Sequence, residues 1–210
     1  MHTSDAERLL ARLRDGITLS GTPRSDIPTF LIRHGCPATA KHCAAVAQEA
    51  WRIATVVGAD TDSAERAGWF HDVSTVLPTA ERVPVARMFG VDVLSEEAAF
   101  PMILHQKLSA VLARDIFGER DSAVLSAIGC HTTLKANASV LDTVVFVADK
   151  IAWDQPGIPP YRDELLSALA HTLDAAALVY LRYLWERRAT LGVIHPWFVD
   201  AYREHADSGC

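Results

Sequence analysis

Long apolar runs are missing from this 210-residue chain. No stretch of about 18 consecutive apolar residues exists, which excludes a membrane-spanning helix, and the polar opening MHTSDAERLLARLRDG lacks the basic-then-apolar order of a signal peptide. The expected location is therefore the cytoplasm, with no membrane partner. Cysteine is scarce: Cys36, Cys43, Cys130 and Cys210 form no CxxC pair and are too sparse for a disulfide scaffold, so reduced thiols are expected. Basic charge is in the minority, with 20 Lys and Arg against 26 Asp and Glu and a net charge of −6. The electrostatic footprint of a nucleic-acid binder is absent, and any anionic ligand has to be attracted locally. Alternating runs of β-branched residues are also absent, which argues against a sheet.

Half of the residues are apolar and 22% are charged, as in a soluble domain long enough to bury a full core. The apolar residues recur at three- and four-residue spacing, which predicts an all-α fold of about nine helices. The first follows Ser4, whose S-x-x-E pattern with Glu7 is a capping box; Leu9, Leu10 and Leu13 share one side, and Gly16 ends it. Residues 21–37 carry three prolines and two glycines and read as a connecting loop or broken helix. This sets an N-terminal helix and loop over 1–37 against a main domain over 38–210. A helix from Thr39 to Val57 follows, with His42, Val46 and Ala50 on one stripe and Gly58 as a left-handed cap. Another, from Ser63 to Val73, delivers His71 and Asp72 near its end. Further helices are predicted over Ala80–Phe89, Ser95–Phe117 with a break near Pro101, Asp121–Cys130, Ser139–Trp153, Asp163–Arg188 with a bend, and Pro196–His205.

Six residues stand apart: His42, the pair His71-Asp72, His105, His131 and Asp149. Several sit in apolar helical sequence such as AGWFHDV, PMILHQ and VVFVADK, where an ionisable group is costly unless paired or bound to metal. Adjacent helical residues diverge by roughly 100°, so a His-Asp pair can address one cavity from two directions, and Asp72 can offer one oxygen to each of two ions. Imidazole and carboxylate donors favour iron, manganese or cobalt over a thiolate-rich structural zinc site. Two divalent or mixed-valent ions are expected, iron first, with manganese or cobalt as alternatives.

The order His, His-Asp, His, His, Asp resembles the HD superfamily of metal-dependent phosphohydrolases. The likeness is closest to the YqeK-type symmetrical diadenosine tetraphosphate hydrolases, through HCAAVAQEA, AGWFHDV, LHQKLSAVLARDIFG, VLSAIGCHTT, LDTVVFVADKI and VIHPW. It spans roughly residues 38–200. The resemblance implies a single HD-type helical domain with the metal site in its core. It further implies that His42, His71, Asp72 and Asp149 hold one ion, and that Asp72, His105 and His131 hold the second. A hydroxide between the ions would attack phosphorus, with His71 and Asp72 at the heart of the chemistry, and the substrate would be a nucleotide or dinucleoside polyphosphate.

The chain departs from that family at two places. Thr75 in HDVST stands where a lysine or other basic residue is usual, and ADKIAWDQ puts Ala152 and Gln155 where the family has an acid and an arginine. Both changes fall on substrate contacts and leave the ligands intact. Candidate substrate-binding residues are Lys107 and Lys135 as local cations, Thr132 and Thr133 as hydroxyls beside His131, and Trp153 beside the loop 154–161 as a stacking surface. Lys150 is expected to point away from the site, though a lysine at that position could reach the cavity mouth. His195 is expected to pack or cap the last helix, and His2, His34, His171 and His205 to be structural or solvated. A homodimer is compatible with the sequence. Two other readings remain: a di-iron oxygenase, for which no gating Tyr/Glu pair precedes His42, and a nucleotide-binding module without turnover.

Overall fold

The computed structural model describes residues 4–208; His2 and Cys210 lie outside them. Among the described residues there are twelve α-helices and no strand. They are α1 (Asp5–Arg14), α2 (Pro23–Arg33), α3 (Pro37–Val57), α4 (Thr61–Phe70), α5 (Arg82–Met88), α6 (Ser95–Ala99), α7 (His105–Asp115), α8 (Ser122–Cys130), α9 (Val140–Ile151), α10 (Arg162–Leu169), α11 (Leu173–Glu186) and α12 (Pro196–Ser208). The start signals work as local chemistry requires. Ser4 and Ser139 each close a capping box, with Glu7 and Asp142, and the side chains of Asp60, Asp121 and Thr172 accept from the first free N–H groups of α4, α8 and α11. Gly58 ends α3 at φ 72°, the left-handed cap expected of it.

The proline-rich segment departs from the sequence expectation. Residues 23–33 are helical, with Pro23 in the first turn and Pro28 inside. An interior proline costs about 3 kcal/mol, but Ile27, Phe30 and Leu31 are each fully buried at helical spacing, and each is worth about 1.5–3 kcal/mol. Packing outweighs the propensity. The single helix expected over 163–188 is two, divided at Ala170–Thr172, where Thr172 caps the second. The expected break near Pro101 is a 3₁₀ turn, Pro101–Leu104, between α6 and α7.

Helix α3 runs through the middle, against α2, α4 and α9. On one side lies a cluster built on Leu31, Phe70, Leu108 and Ile128; on the other lies one built on Ile53, Phe146, Leu165 and Leu181. The ionisable residues singled out from the sequence sit on the seam between these two apolar masses.

Candidate metal centre

His42 projects from the second turn of α3, His71 follows the last residue of α4, His105 opens α7, His131 follows α8, and Asp149 lies in the last turn of α9. Five separate elements thus converge. His42, His71 and His131 are buried, at 8%, 0% and 1% exposure. Two groups of donor atoms can each hold a cation, His42–His71–Asp72 and Asp72–His105–His131, every atom of a group within 4.8 Å of the others. Asp72 belongs to both. Its Oδ2 faces His71 Nε2 at 3.7 Å, and its Oδ1 faces His105 and His131 Nε2 at 3.3 and 3.7 Å. Asp149 Oδ1 stands beside the first group, 3.0 Å from His42 Nε2 and 3.7 Å from His71 Nε2.

The ring nitrogens carry the argument for metal. His71, His105 and His131 each donate Nδ1–H to the carbonyl three residues earlier, of Gly68, Met102 and Ile128, at 2.8, 2.7 and 2.8 Å. That bond fixes the tautomer, so each neutral ring turns an Nε2 lone pair inward. The lone pairs of His105 and His131 then meet, with Nε2 atoms 3.0 Å apart, while His71 Nε2 lies 3.2 Å from Nε2 of His42, whose Nδ1 has no partner to fix its tautomer. Two acceptors at such distances repel unless a positive centre lies between them. Asp72 Oδ1 and His42 Nδ1 are buried without any hydrogen-bond partner, and an orphaned carboxylate oxygen of this kind is costly unless a cation takes it up. The donor set therefore fits a pair of metal ions.

Electrostatics agree. Burial pulls the His71 and His131 imidazoles below their ordinary pKa, and the nearby carboxylates only partly offset this, which keeps the rings neutral and available as ligands. Burial raises Asp72, but the surrounding imidazoles of His71, His105 and His131 outweigh it and bring it to about 2. Burial also raises Asp149, and the Lys150 ammonium and the bond from His42 outweigh it and hold it well below the usual range. For His42 the desolvation that lowers its pKa loses to the hydrogen bond and charge of Asp149, and the net shift is upward.

Among the expected substrate contacts, Thr132 alone touches the cluster, its Oγ1 lying 3.0 and 3.2 Å from Nε2 of His105 and His131. Thr133 donates to the Leu134 carbonyl and lines the neighbouring cavity. Lys107 is drawn away: it pairs with Glu97 at 2.8 Å and lies 4.7 Å from the Trp197 ring centroid. Lys135 is likewise taken by Ser126 and Asp142. Trp153 packs edge-on to Tyr161, with ring centroids 6.4 Å apart. Lys150 does not point away as first expected but turns toward the cluster. It is buried, and its Nζ reaches Asp149 Oδ2 at 2.5 Å and the His131 carbonyl at 3.2 Å. His195 meets its expectation: Nδ1 accepts from the Trp197 N–H at the start of α12, and Nε2 faces Glu97. Gln106 was not singled out. Its fully buried Oε1 accepts the N–H groups of Thr132 and Thr133 and so fixes the turn after His131; a polar residue directly after His105 in an apolar helix was the available signal.

Beside Thr132 opens a cavity of about 390 Å³, walled by Phe100, Ile103, Tyr180, Leu184 and Phe198 and by the turn at Gly192. Its lining contains no Asp, Glu, Lys or Arg.

An all-helical bundle that gathers four histidines and two aspartates from five elements into one cluster defines a class of helical proteins able to hold metal. The chain belongs to the HD domain family: residues 39–154, more than half of the sequence, match that domain. It is a hydrolase of the HD superfamily. A protein from Lactococcus lactis subsp. cremoris, known as the uncharacterized protein in the pepC 5′ region, is 46% identical over 138 residues, covering 66% of this chain and 70% of its own. The symmetrical bis(5′-nucleosyl)-tetraphosphatase of Halalkalibacterium halodurans is 30% identical over 146 residues, covering 63% of this chain and 76% of its own. The crystal structure of a predicted HD superfamily hydrolase involved in NAD metabolism, from Clostridium acetobutylicum, superposes with a TM-score of 0.77 at 26% identity, over 87% of this chain and 96% of that one. Among the described residues no helix is long and apolar enough to cross a membrane.

Proposed function

We propose that the protein is a two-metal phosphohydrolase that cleaves a phosphate ester or anhydride of a nucleotide or dinucleoside polyphosphate. The observation that supports it is the pair of donor groups sharing Asp72, with imidazole lone pairs turned inward on each side. His42, His71, Asp72 and Asp149 would hold one ion, and Asp72, His105 and His131 the other. Iron is the first candidate, then manganese or cobalt. When bound, two such ions supply positive charge for phosphoryl oxygens and a water of lowered pKa.

The chain's own residues have distinct tasks. Asp72 keeps both halves at a fixed separation, and the carbonyls of Gly68, Met102 and Ile128 hold the rings in register. The Thr132 hydroxyl stands where it can donate to a phosphoryl oxygen. The adjoining cavity offers aromatic and aliphatic walls to an uncharged organic moiety, and the nucleoside is the part of such a substrate that fits it. The relatives named for tetraphosphate hydrolysis and NAD metabolism support a nucleotide.

The test is elemental analysis of protein purified without chelator, followed by assays with added iron, manganese and cobalt against mono-, di- and dinucleoside polyphosphates, with His71→Ala and Asp72→Ala as controls. About two ions per chain and hydrolysis lost in both controls are expected. Two ions without hydrolysis would favour the oxygenase or the binding module, and absence of metal would overturn the proposal.

A further inference from the structure

Behind the cluster lie two cations that no substrate contact explains. Lys150 is 7% exposed, and its ammonium sits on Asp149 Oδ2, the oxygen turned away from the histidines. Arg82, on α5, is 4% exposed and has no carboxylate within ion-pair distance among the described residues. Its Nη1 donates to the Met102 carbonyl at 2.9 Å and its Nε to the Leu77 carbonyl at 3.4 Å. The Met102 carbonyl is the same one that accepts Nδ1–H of His105, whose Nε2 faces Asp72 Oδ1. Arg82 is thus one carbonyl and one imidazole away from Asp72, and Lys150 is in contact with Asp149. Burial lowers the Arg82 pKa, and the Asp72 charge counters it. A guanidinium still stays protonated in proteins.

A buried arginine normally finds a carboxylate. Here the carboxylate that its charge reaches, by way of the Met102 carbonyl and His105, is Asp72, the residue shared by both donor groups. We propose that Arg82 and Lys150 are a matched pair of specificity-determining residues, one buried cation for each carboxylate of the cluster, which cancel the charge of Asp72 and Asp149. Resting on the two-ion reading, this has two consequences of opposite sign. The cancellation weakens each ion's hold, and it leaves the bound ions' charge available to an anion from outside. The cluster then exchanges ions readily and grips multiply charged phosphate strongly.

A purely positional role predicts otherwise. If Arg82 only steadied the carbonyl behind His105, its loss would weaken metal binding whatever replaced it. Comparing, at each position, one neutral and one charged replacement separates the alternatives. At position 82 the variants are Arg82→Gln and Arg82→Lys; at position 150 they are Lys150→Gln and Lys150→Arg. Manganese affinity is measured by titration of chelator-treated protein, and inorganic tripolyphosphate affinity by calorimetry on the manganese-loaded forms. At separations of several ångströms in a protein interior, one unit charge against a divalent ion is worth about tenfold or more in affinity. The neutral variant at each position should therefore bind manganese about tenfold tighter than its charged counterpart, and tripolyphosphate about tenfold more weakly.

Equal or reversed manganese affinities within a pair would overturn the inference. Should an Arg82 variant fail to fold by circular dichroism, the Lys150 pair decides alone by the same criterion. Wild-type protein measured alongside keeps the two readings apart. If it binds no pair of ions, the two-metal reading falls and takes this one with it; if it binds two and the variants do not differ, only the present inference falls.

Discussion

His71, His105 and His131 each use their two nitrogens differently, and that division is what the residue scale contributes. The outer nitrogens of His71, His105 and His131 are spent on carbonyls of their own turns, so the ring directions are set before any ion arrives. The convergence of these imidazoles on one cluster was legible in the sequence because an imidazole within AGWFHDV or PMILHQ has no cheap apolar environment. The lysines were not legible. Their reach is long and their direction is settled by partners far along the chain: Glu97 for Lys107, Asp142 for Lys135, and the cluster for Lys150. Gln106 offers a test at this scale. Replacing it with leucine strands the N–H groups of Thr132 and Thr133, which should cost about 1–3 kcal/mol and lower phosphohydrolase activity through misplacement of Thr132; thermal melts and the assay check both, and an unchanged melting temperature contradicts the role. Asp26 offers a second. Burial raises its pKa, but bonds from Ser20, Gly21 and Ser25 outweigh it and hold it below 3.8. A carboxylate depressed in the folded state stabilises above the unfolded pKa, and the contribution fades as pH falls through the folded one. Asp26→Asn should therefore be less stable than wild type at pH 7, with the gap shrinking below about pH 3.8; a gap independent of pH in denaturant titrations rules this out.

At the scale of elements, the site depends on how closely α3 and α4 approach, since they carry His42 and lead into His71. Gly68 makes the approach possible: a Cβ built there would lie 2.5 Å from Ala47 Cα and 2.8 Å from Ala47 N. Backbone cannot yield as a side chain can. Gly68→Ala should destabilise the protein by about 1–3 kcal/mol as overpacking does, although alanine is the better helix former, and it should reduce ion binding because the two helices part; a neutral or stabilising result in chemical denaturation refutes the close-packing argument. Helix starts were readable from Ser4, Asp121 and Ser139, because capping is local chemistry. Helix α2 stays open in the sequence between a loop and a broken helix for the complementary reason: three prolines and two glycines are a local signal, whereas the burial of Ile27, Phe30 and Leu31 that decides for a helix is a tertiary one. Within 163–188 the sequence signals only a bend where the chain divides fully at Ala170–Thr172, since apolar periodicity continues across it and only the Thr172 cap marks the restart.

Across the whole molecule, the two apolar clusters hold a polar seam between them, and that seam makes stability depend on metal and on protons together. His71 and His131 are held neutral by burial, with folded pKa values below 6.5. In the unfolded chain both rings take up protons near 6.5, so below that pH the unfolded state binds more protons than the folded one, and stability falls as pH falls. His42 acts in the opposite direction, because Asp149 raises its pKa; one ring opposes two. Asp72 and Asp149 are depressed far enough to stay ionised throughout this window and add no slope to it. Chelator-treated protein should therefore melt at a lower temperature at pH 5.5 than at pH 7.5. Bound ions stabilise the folded state by mass action and compete with protons for the same nitrogens. Added manganese should consequently raise the melting temperature strongly at pH 7.5 and much less at pH 5.5. A metal-free protein equally stable at both pH values would mean that the buried rings are not held neutral, and the inward-facing lone pairs on which the two-ion proposal rests would lose their basis.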